Sequence, residues 1–160
     1  MLVTLEPVSK TMAGPAIRAL ELAKQLASEF TVTLISPVTI EESNQLEKDK
    51  APGVTIITGL GRSGMYNQAM NADILVIQSN VLKPFPKLAE MGKYLVVDLY
   101  DPYLFAVLVQ YKDDPVTGSA SYRMMHGVLN HHMIKADFSM CASETQRDYW
   151  LGRYCALGRL

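Results

Sequence analysis

Apolar and polar positions along the chain alternate between two periods. An apolar run at Leu2, Val3 and Leu5 passes through a loop with Pro7 and Gly14 into a stretch of 3.6-residue periodicity. There Ala19, Leu22, Ala23 and Leu26 recur at i, i+3, i+4 and i+7. This is one face of an amphipathic helix, with Arg18, Glu21, Gln25 and Ser28 turned away from it. Residues 30–35 mix β-branched and apolar side chains and stop before Pro37, which predicts a strand. Residues 41–50 are polar, rich in Glu and Lys, and read as a solvated loop or short surface helix. A third strand follows at 54–57 and a helix of about two turns at 65–71. Residues 74–77 are continuously apolar, as a strand covered on both faces should be.

The second half repeats the alternation. A short helical segment over 85–91 follows Pro84, and 94–97 is a fifth strand. Asp101 suits an N-cap and Pro102 the first helical position, so 102–111 is predicted as a helix, mostly apolar and therefore largely buried. Residues 113–118 read as a loop. A long helix over 119–135 carries Met124, Met125, Val128, Leu129 and Met133, and 138–141 is a sixth strand. Ser143-Glu144-Thr145-Gln146 has the capping-box pattern and opens a last helix through Tyr149, Trp150 and Leu151. Strands alternating with helices predict α/β class: a single Rossmann-like doubly wound domain, with a mainly parallel sheet of about six strands and helices on both faces.

Composition narrows the function classes. The chain has 160 residues, 49% of them hydrophobic, which is enough for one domain with a real core and excludes a disordered protein. A net charge of −1 with scattered basic residues argues against nucleic-acid binding. No apolar run approaches the ~18 residues of a membrane span, and no signal peptide is visible. Cys141 and Cys155 do not form a disulfide scaffold and read as free thiols of a soluble protein in a reducing, cytoplasmic compartment.

In a doubly wound sheet, ligands bind outside the carboxyl ends of the strands. That rule selects Met12, Ala13 and Gly14 after the first strand and Gln78, Ser79 and Asn80 after the fourth. It also selects Asp98, Tyr100 and Asp101 after the fifth, and Ser143 with Arg147 after the sixth. Each position has a functional and a structural reading. Gly14 lets a ligand approach a helix N-terminus, or it serves a turn needing a positive φ or close backbone contact. Asp98 is a base or acceptor-binding carboxylate, or a plain loop aspartate. Tyr100 offers a phenol to a sugar, stacks on it, or packs; Asp101 and Ser143 are caps by their context. Arg147 reaches an anion or is simply solvated.

Other motifs carry less. Gly59-Leu60-Gly61-Arg62-Ser63-Gly64 is a formal dinucleotide fingerprint. The helix after it is short, and the next strand ends at Gln78 instead of an acidic ribose ligand, so a glycine-rich connection is favoured. His126, His131 and His132 lie at offsets that spread them around a helix, which argues against a metal site. Cys141 sits at an apolar strand end and reads as core.

Five segments together carry a family likeness: MAGPAIRALELAKQLA, FTVTLISP, NADILVIQ, YLVVDLYDPY and ADFSMCASETQRDYWLG. The chain resembles, over nearly its whole length, the N-terminal domain of the group 1 (family 4 type) glycosyltransferases of GT-B fold. The first and last segments are the most specific. The resemblance implies two Rossmann-like domains with a cleft between them. The N-terminal domain takes the acceptor, and its glycine loop approaches the donor diphosphate. The second domain holds most of the nucleotide-sugar. Transfer retains the anomeric configuration and uses no bound metal or other cofactor. Met12, Ala13 and Gly14 would be the glycine loop.

Two departures stand out. Many relatives have a His-Asp pair after the fifth strand where this chain has Tyr100-Asp101, so the catalytic residue is left open among Asp98, Tyr100 and Asp101. The sequence also ends at Leu160, where the family continues into its C-terminal domain. The expectation is therefore an acceptor-side domain, inactive alone, whose partners are a nucleotide-sugar donor, a carbohydrate or lipid-linked acceptor and a C-terminal domain. Two alternatives stay open: an NAD(P)-dependent oxidoreductase using Gly59 to Gly64, and a non-catalytic binding module of the same fold.

Overall fold

The computed structural model describes residues 1–46, 50–78 and 80–159. Six strands form one sheet: β1 (Leu2–Val3), β2 (Val32–Ser36), β3 (Val54–Thr58), β4 (Ile74–Gln78), β5 (Tyr94–Asp98) and β6 (Phe138–Met140). Every pairing is parallel, in the order β3-β2-β1-β4-β5-β6. Among the described residues five α-helices connect them: α1 (Gly14–Leu26), α2 (Arg62–Met70), α3 (Leu104–Gln110), α4 (Pro115–Lys135) and α5 (Glu144–Ala156). A single Rossmann-like, doubly wound α/β domain is the result.

Strand pleating distributes the apolar residues to two faces. Leu2, Val32 and Leu34 point to one side and pack on Ala16, Ala19, Leu20 and Ala23 of α1. Val3, Ile35, Leu75, Ile77, Leu95 and Val97 point to the other. They pack with Met65 and Ala69 of α2, Leu104 of α3, Leu129 and Met133 of α4 and Trp150 of α5. Each fully buried Leu or Ile contributes roughly 1.5–3 kcal/mol through burial. The sheet is therefore double-sided because its strands are apolar at both parities.

Several local expectations shift. The buried stripe of α1 runs through Ala16, Ala19, Leu20 and Ala23, while Leu22 and Leu26 are half-buried at its flank. Three alanines bring the helix axis close to the sheet, so the small side chains take the centre. Strand β2 begins at Val32, leaving Phe30 57% exposed. The segment after Pro84 is a 3-10 helix over Pro86–Glu90. Helix α4 starts at Pro115, inside the stretch read as a loop, because the Asp114 side chain accepts from the Thr117 N–H and Pro115 needs no donor partner.

The largest correction concerns 102–111. Helix α3 starts at Leu104, its N-cap residue is Tyr103 and no side chain caps it, so Asp101 is not the cap. Nor is the helix largely buried. Leu104 and Val107 are, but Phe105, Leu108 and Val109 are each more than half exposed. A short helix beside α4 has one inward stripe, whatever the apolar content of its other positions.

Candidate functional site at the carboxyl rim

Strand order reverses between β1 and β4, where the chain leaves β1 toward β2 on one side and returns from β3 to β4 on the other. Such a switch point opens a crevice at the strand carboxyl ends. The loop from Thr4 to Ala13 leads from β1 into α1, and Gln78 ends β4. Gln78 is buried and its Nε2 donates to the Pro15 carbonyl at 2.9 Å, tying the two sides of the crevice together.

Gly14 is the first residue of α1. The left-handed glycines among the described residues are Gly53, Gly59, Gly92 and Gly158, so no positive φ accounts for Gly14. A methyl group there would meet nothing within 4 Å. Both structural readings of this glycine, a strained turn and a close intramolecular approach, are thereby removed. Ala13 is the N-cap and has no side-chain acceptor, so the positive end of α1 carries no side-chain cap. Ala13 is exposed and Met12 half-buried beside it.

One turn further along α1, Arg18 does not turn away into solvent as its helical position predicted. Its Nε donates to Asp98 Oδ2 at 2.7 Å and its Nη2 to Asp98 Oδ1 at 2.8 Å. The Asp98 side chain is fully buried at the end of β5, while that of Arg18 keeps 26% of its surface. Both carboxylate oxygens are thus engaged in a bidentate fork, the strong form of this pair. Its hydrogen bonds to Asp98 raise the Arg18 guanidinium above its ordinary pKa. The Tyr100 ring lies over the same guanidinium, 5.2 Å from Cζ. Burial first, then the charges of Asp101 and Asp98, push the Tyr100 phenol up, so it is protonated at neutral pH. Asp101 is exposed at residue level, yet burial of its carboxyl raises its pKa as well.

Gly14, Ile17, Arg18, Glu21, Leu22, Gln25 and Tyr100 line an open groove of about 420 Å³ running from the start of α1 along its outer face. Helical spacing explains the set, since positions 14, 18, 21, 22 and 25 fall on one side of α1. Arg18 is the residue that sequence reasoning missed. The signal was its place four residues after Gly14, which puts both on one face.

The rest of the rim is less convergent. Asn80 holds a left-handed conformation (φ 73°) at the end of β4, and its Oδ1 is buried without a partner in the described structure. Ser79 lies outside the described residues. The following loop is clamped by His132 of α4: its Nε2 accepts from the Leu82 N–H at 3.0 Å, and its Nδ1 is 2.7 Å from the Val128 carbonyl. Those contacts assign the proton to Nδ1, and burial lowers the His132 pKa to about 4. Ser143 and Arg147 stand at the far edge, after β6. Ser143 Oγ accepts from the Gln146 N–H as the cap of α5, and Arg147 pairs with Glu144 at 2.8 Å on the surface. Cys141 is half-buried, its Sγ 3.5 Å from the Ser143 carbonyl.

Among the described residues no group of three or more His, Cys, Asp or Glu side chains is arranged to hold a metal, and no helix is long and apolar enough to cross a membrane. Comparison with protein-family models, with curated proteins and with solved structures finds no match to this chain in any of the three.

Proposed function

We propose that this chain is the N-terminal, acceptor-side domain of a retaining glycosyltransferase that moves a sugar from a nucleotide-sugar donor to an acceptor hydroxyl. The observation that carries the reading is Gly14: a glycine at the uncapped start of a helix, at the switch point, with neither backbone strain nor packing to require it. A position open in this way suits close approach of a group from outside the chain. In this reading the group is the donor diphosphate. As the bond between anomeric carbon and phosphate oxygen breaks, negative charge grows on the diphosphate. A helix N-terminus aimed at that charge stabilises it more in the transition state than in the ground state. A C-terminal domain would hold the nucleotide, and Arg18, Asp98 and Tyr100 would face the acceptor side of the cleft.

Asp98 as a proton acceptor fits this geometry less well than Asp101, because both Asp98 oxygens are occupied by Arg18. The rival dinucleotide reading places its ligand at Gly59 to Gly64, which follows the edge strand β3, two strands away from β1.

Expression of the complete gene product and assay of sugar transfer from a panel of nucleotide-sugars tests the proposal. Turnover of at least one donor is expected, reduced by 100-fold or more in Gly14→Val. Absence of turnover across the panel, or turnover indifferent to Gly14→Val, removes it.

A further inference from the structure

Helix α4 has an inner and an outer face from its first turn. Gly118 looks inward: a methyl group there would lie 2.7 Å from Tyr111 Cβ, just past the end of α3. Val116 and Ala120, two residues to either side, look outward, and Arg123 and Gly127 continue their side at 4-3-4 spacing. All four are exposed, and Val116, at 82%, is the most exposed large apolar side chain among the described residues. Met124 flanks this seam. Helix α3, packed against α4, adds Leu108 and Val109 to the exposed apolar surface of the hairpin. The rim and its chemistry use none of these residues.

Two charges frame the seam, and neither is committed within one copy. Asp113 has only Lys112, 4.0 Å away, with both side chains largely exposed; Asp114, not Asp113, caps the helix. Arg123 enters no ion pair among the described residues. The order along the chain is acid, valine, alanine, base at positions 113, 116, 120 and 123. Position 118 is the midpoint of 116 and 120 and also of 113 and 123. An antiparallel second copy, turned about a two-fold axis level with Gly118, therefore sets Val116 on Ala120 and Asp113 beside Arg123, each contact twice. A pattern that reverses onto itself in this way is what an isologous interface requires. The small Ala120 side chain admits Val116 at ordinary helix–helix separation. Leu108, Val109, Val116 and Met124 expose on the order of 300 Å² of apolar surface per copy. In an interface about 60% apolar, that corresponds to roughly 1,000 Å² in total, the lower bound for a specific contact.

We infer that the outer face of α4 is a self-association surface, on which two copies of this chain pair antiparallel about Gly118 with an Asp113–Arg123 ion pair at each end. The apolar seam supplies the attraction, and the ion pairs at its ends fix the register. An interface of this size gives a reversible, concentration-dependent dimer. The inference does not rest on the glycosyltransferase reading and stands or falls apart from it.

The test is sedimentation of this chain from micromolar to millimolar concentration. The mass is expected to rise from one copy to two and to stop there, because a two-fold contact closes on itself. Val116→Asp puts a carboxylate into the seam, and Arg123→Asp sets like charges together at both ends. Each should move the midpoint of dimerisation at least tenfold to higher concentration, with the circular dichroism of the monomer unchanged because both side chains are exposed. Asp113→Arg combined with Arg123→Asp exchanges the charges at both ends, and should bring the midpoint back to within threefold of the parent chain. A monomer throughout, growth beyond two copies, a midpoint unmoved by Val116→Asp, or a double exchange as weak as Arg123→Asp alone overturns the inference.

Discussion

Two strand–glycine loop–helix units in this molecule look alike in sequence, and both open helices without a side-chain cap, but they differ in their place in the sheet and in how many of their glycines internal packing explains. One joins β1 to α1 through Gly14; the other joins β3 to α2 through Gly59, Gly61 and Gly64. The second has the better-known spacing, yet its glycines are mostly explained from within. Gly59 is left-handed (φ 73°), and a methyl there would lie 3.1 Å from Thr39 Oγ1; one at Gly64 would lie 3.0 Å from Leu60 Cδ2. Gly14 has neither constraint. The first unit sits at the reversal of strand order and the second at an edge. A glycine pattern thus marks a candidate site only when sheet order puts it beside the crevice and internal packing leaves it unexplained.

The comparison breaks most directly at Arg18. Arg18→Ala leaves the Asp98 carboxylate buried and unpaired, and removal of one partner from a buried pair costs about 3 kcal/mol or more. The low end applies because the Arg18 side chain is a quarter exposed. Arg62, exposed at the start of α2, should change stability by less than about 0.5 kcal/mol when replaced by Ala. Urea denaturation of both variants at pH 7 checks this, and equal effects would erase the difference between the two units.

A comparable loss is expected from acid acting on the β4 side of the crevice. His132 titrates near 6.5 when unfolded and near 4 when folded, so between those values the unfolded chain binds the extra proton. The contribution is present in full above pH 6.5 and falls away as pH drops toward 4, by at most roughly 3 kcal/mol at ~1.36 kcal/mol per unit. His132→Gln should flatten this part of a stability–pH curve. An unchanged slope would mean that His132 is not the group that titrates.

Smaller effects separate the glycines themselves. Gly59→Ala forces an L-residue into left-handed backbone and against Thr39, for a loss of about 1–2 kcal/mol. Gly14→Ala should go the other way, stabilising by up to about 1 kcal/mol, because alanine is the better helix residue and finds open space. Thermal unfolding of the pair tests the contrast; loss of stability on Gly14→Ala would reinstate a structural role for it. The smallest expected effect is zero: NAD or NADP at millimolar concentration should leave the melting temperature unmoved. A bound cofactor at 100 times its dissociation constant would add about 2.7 kcal/mol, which is readily seen.

Much of the architecture was legible because period and punctuation are local properties. Strand β4 reads as buried from four consecutive apolar residues; Leu75 and Ile77 are buried on one face and Val76 is half-buried on the other, while Ile74 at the start of the strand stays 38% exposed. Ser143 caps α5 as its capping-box pattern requires, although Gln146 Oε1 reaches back to the Ala142 N–H instead of that of Ser143. Position 101 misled because Asp-Pro before an apolar run is a start signal wherever it occurs, and α3 begins two residues later. The burial of α3 was overestimated for a related reason, since composition does not say how many sides of a helix have neighbours.

The sequence by itself determined the α/β class, the number of strands and the set of rim loops. It did so through 2- and 3.6-residue periodicity and through the backbone limits of Gly and Pro, which act over a few residues. Only the tertiary structure decided which loops meet. Strand order put β1 beside β4, and the shifted face of α1 turned Arg18 onto Asp98, 80 residues away. Such a contact depends on relative placement of elements, which no local pattern encodes. The same placement separated Gly14, at the crevice, from Gly59 to Gly64, at the edge.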